Sequence, residues 1–245
     1  MLLHGKECKM NIGIVLAGGK GTRFGADLPK QFVEITGMPL IACTVKKLLN
    51  CNIDVIYIVC IKDYVNKMEE IIKEYDLDKV ENVIIGGNTR HESIRNAINY
   101  LIKNGQDMDN KIIIHNANMP LVSVKNVNSC IELCDGKNVI VTSAAECNGY
   151  FYQIDNDSNL KIGPDRKCLL HAKVPETLTL KTANELYNDP VFLDKKYESY
   201  TAGMLGIIKN KIVKVSICES TNMKITTRED YELVETYLKN EKYAK

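Results

Sequence analysis

The chain has 245 residues, a formal net charge of +1 and 45% hydrophobic residues. That length allows one large α/β domain with a substantial core and leaves little room for two. The near-zero charge gives no electrostatic case for nucleic acid as a partner, and the apolar content excludes a disordered chain. No stretch approaches the roughly 18 consecutive apolar residues of a membrane helix.

Met1 to Asn11 carries His4, Lys6, Glu7 and Lys9 and lacks the apolar centre of a signal peptide. A poorly ordered lead-in over 1–10 and a cytoplasmic protein are therefore expected. The nine cysteines are scattered, with no C-x-x-C pair. Cys130 and Cys134 could share a helical face, but no second ligand pair accompanies them. Free thiols in a reducing compartment fit this pattern better than structural zinc.

In chain order, residues 12–16 read as a buried parallel strand, mostly apolar and bounded by glycines. A glycine loop follows to about residue 30, and Pro39 opens a helix through Asn50. Ile53 to Ile61 is a second strand, Tyr64 to Tyr75 a helix, and Glu81 to Ile85 a third strand. A helix over Arg95 to Asn104 stops at Gly105. Ile112 to His115 is a fourth strand, Asn126 to Cys134 a helix and Val139 to Ala144 a fifth strand. Tyr150 to Ile154 and Leu160 to Ile162 flank the turn-rich Asp155 to Asn159, which predicts a hairpin inserted between βα units. Pro175 is read as opening a helix through Tyr187, and Ala202 to Ile208 as a strand. Val213 to Cys218 is a late strand; Thr227 and Asp230 form a capping box for a last helix, Tyr231 to Leu238. The order predicts an α/β fold, a mostly parallel sheet with helices on both faces. It forms a single domain over 11–240 with an arm inserted at 146–171.

Ligands of such sheets sit at the carboxyl ends of strands. The first end carries Gly18, Gly19, Gly21 and Gly25, whose backbone can approach a ligand closely, with Arg23 and Lys30 beside them. Successive N–H groups, a planar guanidinium and a mobile ammonium together read as a triphosphate loop. It is not a Walker A loop, since no Gly-Lys-Ser/Thr closes it, and Phe24 breaks G-x-G-x-x-G. The second end is Gly86-Gly87-Asn88-Thr89-Arg90-His91-Glu92-Ser93, where Arg90 and Ser93 can donate near a helix N-terminus. The alternative there is a simple helix cap by Asn88 or Thr89. The third is His115-Asn116-Ala117-Asn118-Met119-Pro120, where His115 reads as a satisfied strand-end histidine.

Leu16 to Gly25, followed by Leu28-Pro-Lys-Gln-Phe32, resembles the signature of nucleotidyltransferases. Within these the chain is similar to the cytidylyltransferases acting on methylerythritol phosphate and ribitol phosphate, over about residues 11–239. The resemblance implies a Rossmann-like sheet, CTP as a substrate and Mg²⁺ as cofactor. An acceptor phosphate attacks the α-phosphorus and pyrophosphate leaves. It implies CTP contacts from Leu16, Ala17, Gly18, Gly19, Lys20, Gly21, Thr22, Gly87, Arg90, Ser93, Asn116 and Ala117, with Arg23, Lys30 and Lys224 as the catalytic cations. Lys224 lies in Asn-Met-Lys-Ile-Thr-Thr-Arg-Glu-Asp230, close to the family's Asn-Ile-Lys-Ile-Thr-x-x-Glu-Asp. On the acceptor side it implies Asn88, Glu176 and, from a partner subunit, Arg166. A homodimer built through the arm follows.

The departures cluster at the acceptor. Where the family reads His-Asp-Ala-Ala-Arg-Pro, this chain has Asn116 and Met119, so Asn116 offers a metal one neutral oxygen. Val174-Pro175-Glu176 stands for Thr-Pro-Gln, and Asn88 for a frequent aspartate. Glu146, Glu176 and Glu198 are added carboxylates that would suit an ammonium group. The expectation is an acceptor that is neither classical polyol phosphate. It could be a phosphorylated or phosphoramidate metabolite, with a CDP-linked product destined for surface polysaccharide. The alternatives are a polyol phosphate enzyme of the methylerythritol or ribitol type, and a CTP-binding sensor or structural relative that has lost catalysis.

Overall fold

The computed structural model describes residues 9–19, 28–136 and 138–243. The glycine-loop residues Lys20, Gly21, Thr22 and Arg23 lie outside the described residues, as does the expected lead-in up to residue 8. Residues 9 and 10 are tied to the fold: Lys9 Nζ pairs with Asp109 at 2.8 Å and the Met10 amide donates to Asn110 Oδ1 at 2.9 Å.

The chain begins in the middle of its sheet with β1 (Asn11–Ala17). Strand alternation sends Ile12 and Ile14 to one face and Val15 and Ala17 to the other, so both faces are apolar. A small hairpin, β2 (Glu34–Ile35) and β3 (Met38–Pro39), leads into α1 (Leu40–Leu49). Then come β4 (Val55–Cys60), α2 (Val65–Glu74), β5 (Val80–Ile85) and α3 (Arg90–Lys103). After β6 (Lys111–Asn116), α4 (Val124–Leu133) and β7 (Val139–Glu146), the short strands β8 (Tyr152–Ile154) and β9 (Leu160–Ile162) form the expected hairpin. The chain closes with β10 (Leu170–Thr179), α5 (Leu180–Tyr187), α6 (Ala202–Ile208), β11 (Ile212–Ile217) and α7 (Arg228–Tyr243).

The sheet order is β11-β7-β10-β6-β1-β4-β5. β10 runs antiparallel to both β6 and β7, and the other pairings are parallel. The fold is Rossmann-like with an inserted arm. α3, α5 and α6 cover one face through Ile94, Leu101, Leu186 and Leu205. α1, α2 and α4 cover the other through Ile41, Leu48, Met68 and Val127. From β1 the chain winds outward to β4 and β5, then returns to β6 on the other side of β1. That reversal opens a crevice at the carboxyl ends of β1 and β6, where such sheets bind ligands.

Two expected elements are corrected. The helix read from Pro175 begins only at Leu180, because residues 174–179 are buried in the sheet as β10. Proline lacks an N–H for the ladder, and here the register of β10 against β7 shifts between Ala172 and Glu176. Thr179 supplies the cap, accepting from the Thr182 amide at 3.2 Å. Ala202 to Ile208 is a helix and not a strand. Thr201 caps it, and Gly206 lies so close to Ile140 Cδ1 that a Cβ would stand 2.3 Å from it. A run of seven apolar residues carries no period that separates a buried strand from a helix pressed on a sheet.

Candidate active site

The crevice is a cleft of about 650 Å³, a size that suits a nucleotide. Four strand ends and two later segments line it. β1 contributes Leu16, Ala17, Gly18 and Gly19; β4 contributes Ile61, Lys62 and Asp63; β5 contributes Gly86 to Arg90. Asn116, Ala117 and Asn118 come from the end of β6, and Lys30, Gln31 and Lys224 complete the wall.

Hydrogen bonds to neighbouring strands fix each end. The Ala117 amide donates to the Leu16 carbonyl at 3.0 Å and the Gly86 amide to Cys60 at 2.8 Å. Gln31 is buried, and its Nε2 donates to the Ala17 carbonyl at 2.6 Å, which ties its segment to the end of β1. At α3, Thr89 is the N-cap, accepting from the Glu92 amide at 3.0 Å, and Glu92 Oε2 accepts from the Asn88 amide at 2.8 Å. Ser93 Oγ accepts from the Gly87 amide at 3.0 Å. Glycine is required at 87, since a Cβ there would stand 2.2 Å from Glu92 Cγ. The cap reading thus holds at Thr89, and the loop it shapes faces the cleft.

Lys30, Lys62 and Lys224 place three cations on the wall, against Asp63 and Glu92. Lys30 Nζ donates to the Ile225 carbonyl at 3.1 Å. Asn116 Nδ2 lies 3.5 Å from Met119 Sδ. His115, fully buried, uses Nε2 on the Met119 carbonyl at 3.1 Å, while its Nδ1 is buried without a hydrogen-bond partner, so the strand-end histidine is satisfied at one ring nitrogen. The arrangement can hold a polyanion across β1 and β6 and surround its phosphates with ammonium groups. Among the described residues, no group of three or more His, Cys, Asp or Glu could hold a metal ion.

Residues 12–240 match the family model of 2-C-methyl-D-erythritol 4-phosphate cytidylyltransferase. The chain belongs to this family. The 2-C-methyl-D-erythritol 4-phosphate cytidylyltransferase of Thermosipho africanus is 33% identical over 227 residues, 92% of this chain and 96% of that protein. The ribitol-5-phosphate cytidylyltransferase of Lactiplantibacillus plantarum is 30% identical over 216 residues, 87% of this chain and 91% of that one. The crystal structure of 4-diphosphocytidyl-2C-methyl-D-erythritol synthase from Anaerococcus prevotii shares the fold with a TM-score of 0.79 at 23% identity, over 94% of this chain and 96% of that one. The chain is a nucleotidyltransferase, and its general reaction is CTP-dependent cytidylyl transfer to a CDP-linked product.

The cytidylyltransferase cleft brings together Leu16, Ala17, Gly18, Gly19, Lys30, Gly87, Asn88, Arg90, Ser93, Asn116, Ala117 and Lys224. Lys20, Gly21, Thr22 and Arg23 lie outside the described residues. Two acceptor candidates are elsewhere. Arg166 is exposed on the arm, its guanidinium 5.5 Å from the Tyr150 ring centroid. Glu176 is fully buried in β10 and does not line the cleft: Oε2 pairs with Arg90 Nη2 at 3.3 Å and Oε1 accepts from the Gly203 amide at 2.9 Å. That pairing ties the guanidinium of Arg90, itself a wall residue, to β10. The sequence reading missed Gln31, Lys62, Asp63 and Asn118 as wall residues. Lys62 and Asp63 directly follow β4, and the carboxyl-end rule could have found them.

Proposed function

We propose that this cytidylyltransferase transfers the cytidylyl group of CTP to a polyol phosphate of the methylerythritol or ribitol type. The observation that carries the reading is where the departures sit. Met119, Val174 and Glu176 are 3%, 5% and 0% exposed, and none lines the cleft. Of the departures from the family pattern, Asn88 and Asn116 open onto the cleft, Asn116 at the position that would face a metal. Glu176 is occupied by Arg90 and Gly203, which removes the central member of the carboxylate set that suited an ammonium group. Relatives bearing either polyol phosphate name, at 30–33% identity, support the same acceptor class.

In the proposed reaction an acceptor phosphate oxygen forms a bond to the α-phosphorus of CTP. The bond from that phosphorus to the oxygen bridging to the β-phosphate breaks, and pyrophosphate carries the electron pair away. No covalent enzyme intermediate is needed, because positioning and charge lower the barrier. Gly18, Gly19 and the glycine loop hold the phosphates, Gly87 and Ser93 hold the nucleoside, and Lys30, Lys224 and Arg23 stabilise developing charge. Asn116 fits a Mg²⁺ that keeps its waters and draws its negative ligands from the substrate, since it has one neutral oxygen to give. When bound, that ion would offset charge on the leaving pyrophosphate.

The enzyme is further proposed to be a homodimer through the 146–171 arm, which would carry Arg166 to the neighbouring cleft. It would work in the cytoplasm, in keeping with eight described cysteines that are all free thiols. Among the described residues no helix is long and apolar enough to cross a membrane.

The test is incubation with CTP, Mg²⁺ and, separately, 2-C-methyl-D-erythritol 4-phosphate, ribitol 5-phosphate and a pool of phosphorylated and phosphoramidate metabolites. Pyrophosphate release and the mass of the CDP conjugate are read. Turnover of one polyol phosphate is expected. A conjugate formed only from the pool, with both polyol phosphates inert, overturns the acceptor and restores the surface-polysaccharide metabolite as the candidate.

A further inference from the structure

Ile225 follows Lys224 and is fully buried. Its amide donates to the Asn118 carbonyl at 3.0 Å. Its own carbonyl accepts from two side chains, Asn118 Nδ2 at 2.5 Å and Lys30 Nζ at 3.1 Å. One buried carbonyl thus ties together the segment that carries Lys224, the end of β6 and the one-turn helix Lys30–Phe32. The two donors differ in freedom. Lys30 is partly exposed on the cleft wall, and its ammonium rides on a flexible stem that can swing toward a phosphate. Asn118 is 5% exposed and held by its own backbone pairing, so its amide cannot follow. A buried carbonyl that loses its last donor is costly, whereas one that keeps a donor is not.

We propose that Asn118 is a positioning residue that keeps the Ile225 carbonyl hydrogen-bonded while Lys30 moves from that carbonyl onto the triphosphate. The inference rests on the CTP reading above and adds a division of labour to it. Lys30 is the donor that travels and Asn118 the one that stays. Asn118→Ala removes the donor without adding charge or bulk.

The experiment is calorimetric titration of CTP into the unaltered enzyme, Asn118→Ala, Lys30→Met and the double variant, with a melting temperature for each. Asn118→Ala is expected to weaken CTP binding about tenfold, or about 1.4 kcal/mol, because Lys30 must then leave the Ile225 carbonyl without a donor. In the Lys30→Met background the same change is expected to alter CTP affinity by less than about twofold, since no cation leaves on binding. The melting temperature falls in both backgrounds. Asn118→Leu, which keeps about the size and loses the amide donor without adding charge, gives the same pattern and serves if the alanine variant does not fold. An unchanged CTP affinity, or an equal loss in both backgrounds, overturns the proposal and leaves Asn118 a structural strap. No CTP binding by the unaltered enzyme overturns the functional reading and this inference with it.

Discussion

His115 ends β6 with its ring wholly out of solvent, and its Nε2 faces the Met119 carbonyl. A carbonyl can only accept, so Nε2 carries a proton, and burial, which leaves Nδ1 without a partner, keeps the ring neutral. Burial pushes its pKa down to about 4, from an ordinary 6.5, against the smaller upward pull of that hydrogen bond. His115 therefore has no acid or base task at neutral pH, although it stands one residue from the cleft. It does carry a stability effect. Below about pH 6.5 the unfolded chain binds a proton at this site that the folded chain refuses until about pH 4. The stability contributed by the neutral ring is thus complete above pH 6.5 and is lost as pH falls toward 4. The gap corresponds to about 3 kcal/mol. Melting curves between pH 7 and 4.5 should show a steeper acid fall for the unaltered protein than for His115→Asn. Burial also lowers His91 and His171, so some slope remains in the variant. Identical slopes would remove His115 from the account.

At the scale of elements, Glu176 links three of them. Its carboxylate on β10 pairs with Arg90 at the start of α3 and accepts the Gly203 amide at the start of α6. A carboxylate with no solvent contact is tolerated because both oxygens are met. Glu176→Ala leaves the half-buried Arg90 cation uncompensated and is expected to cost about 3–5 kcal/mol in a denaturant titration. The double change Arg90→Met with Glu176→Met should cost less than Glu176→Ala, since two apolar chains replace a desolvated pair. A double variant at least as unstable as the single would show that packing, and not the charge pair, fastens these elements. This link was hidden in the sequence because Pro175-Glu176-Thr177 reads as a helix start, with an acid in its first turn. The shift in register that accommodates Pro175 in a sheet leaves no local signal. What was legible followed from local rules. The apolar runs at Ile53 to Ile61 and Ile112 to His115 contain β4 and β6, and the Thr227–Asp230 capping box is present with both bonds, at 2.9 and 3.3 Å. Three of the strand ends that line the cleft were also picked out, because glycines, amides and cations have no packing reason to gather there. Glu176 and Asn118 act through partners 27 and 107 residues away, and no spacing rule reaches that far.

At the scale of the molecule, the arm is the part that one chain does not account for. Every residue of β8 and β9 is exposed, Tyr152 by 68% and Ile162 by 93%. A two-stranded hairpin of three-residue strands is marginal in water by itself, and this one offers apolar side chains with no sheet behind them. Leu170, at the start of β10, extends the same apolar surface to the root of the arm. A second copy of the chain would bury these side chains and bring Arg166 with them, whereas the cleft proposed to hold CTP is lined within one chain. The two functions therefore separate. Light scattering at micromolar concentration should give twice the mass of one chain. Replacing Tyr152 and Ile162 by aspartate should yield a monomer with CTP binding intact and cytidylyl transfer sharply reduced, because in the proposed dimer the acceptor's cation, Arg166, would come from the second copy. Arg166→Ala should reproduce the loss of transfer while leaving the mass at two chains. A monomeric unaltered protein would sink the dimer, and full activity in the aspartate variant would place the acceptor phosphate wholly within one subunit.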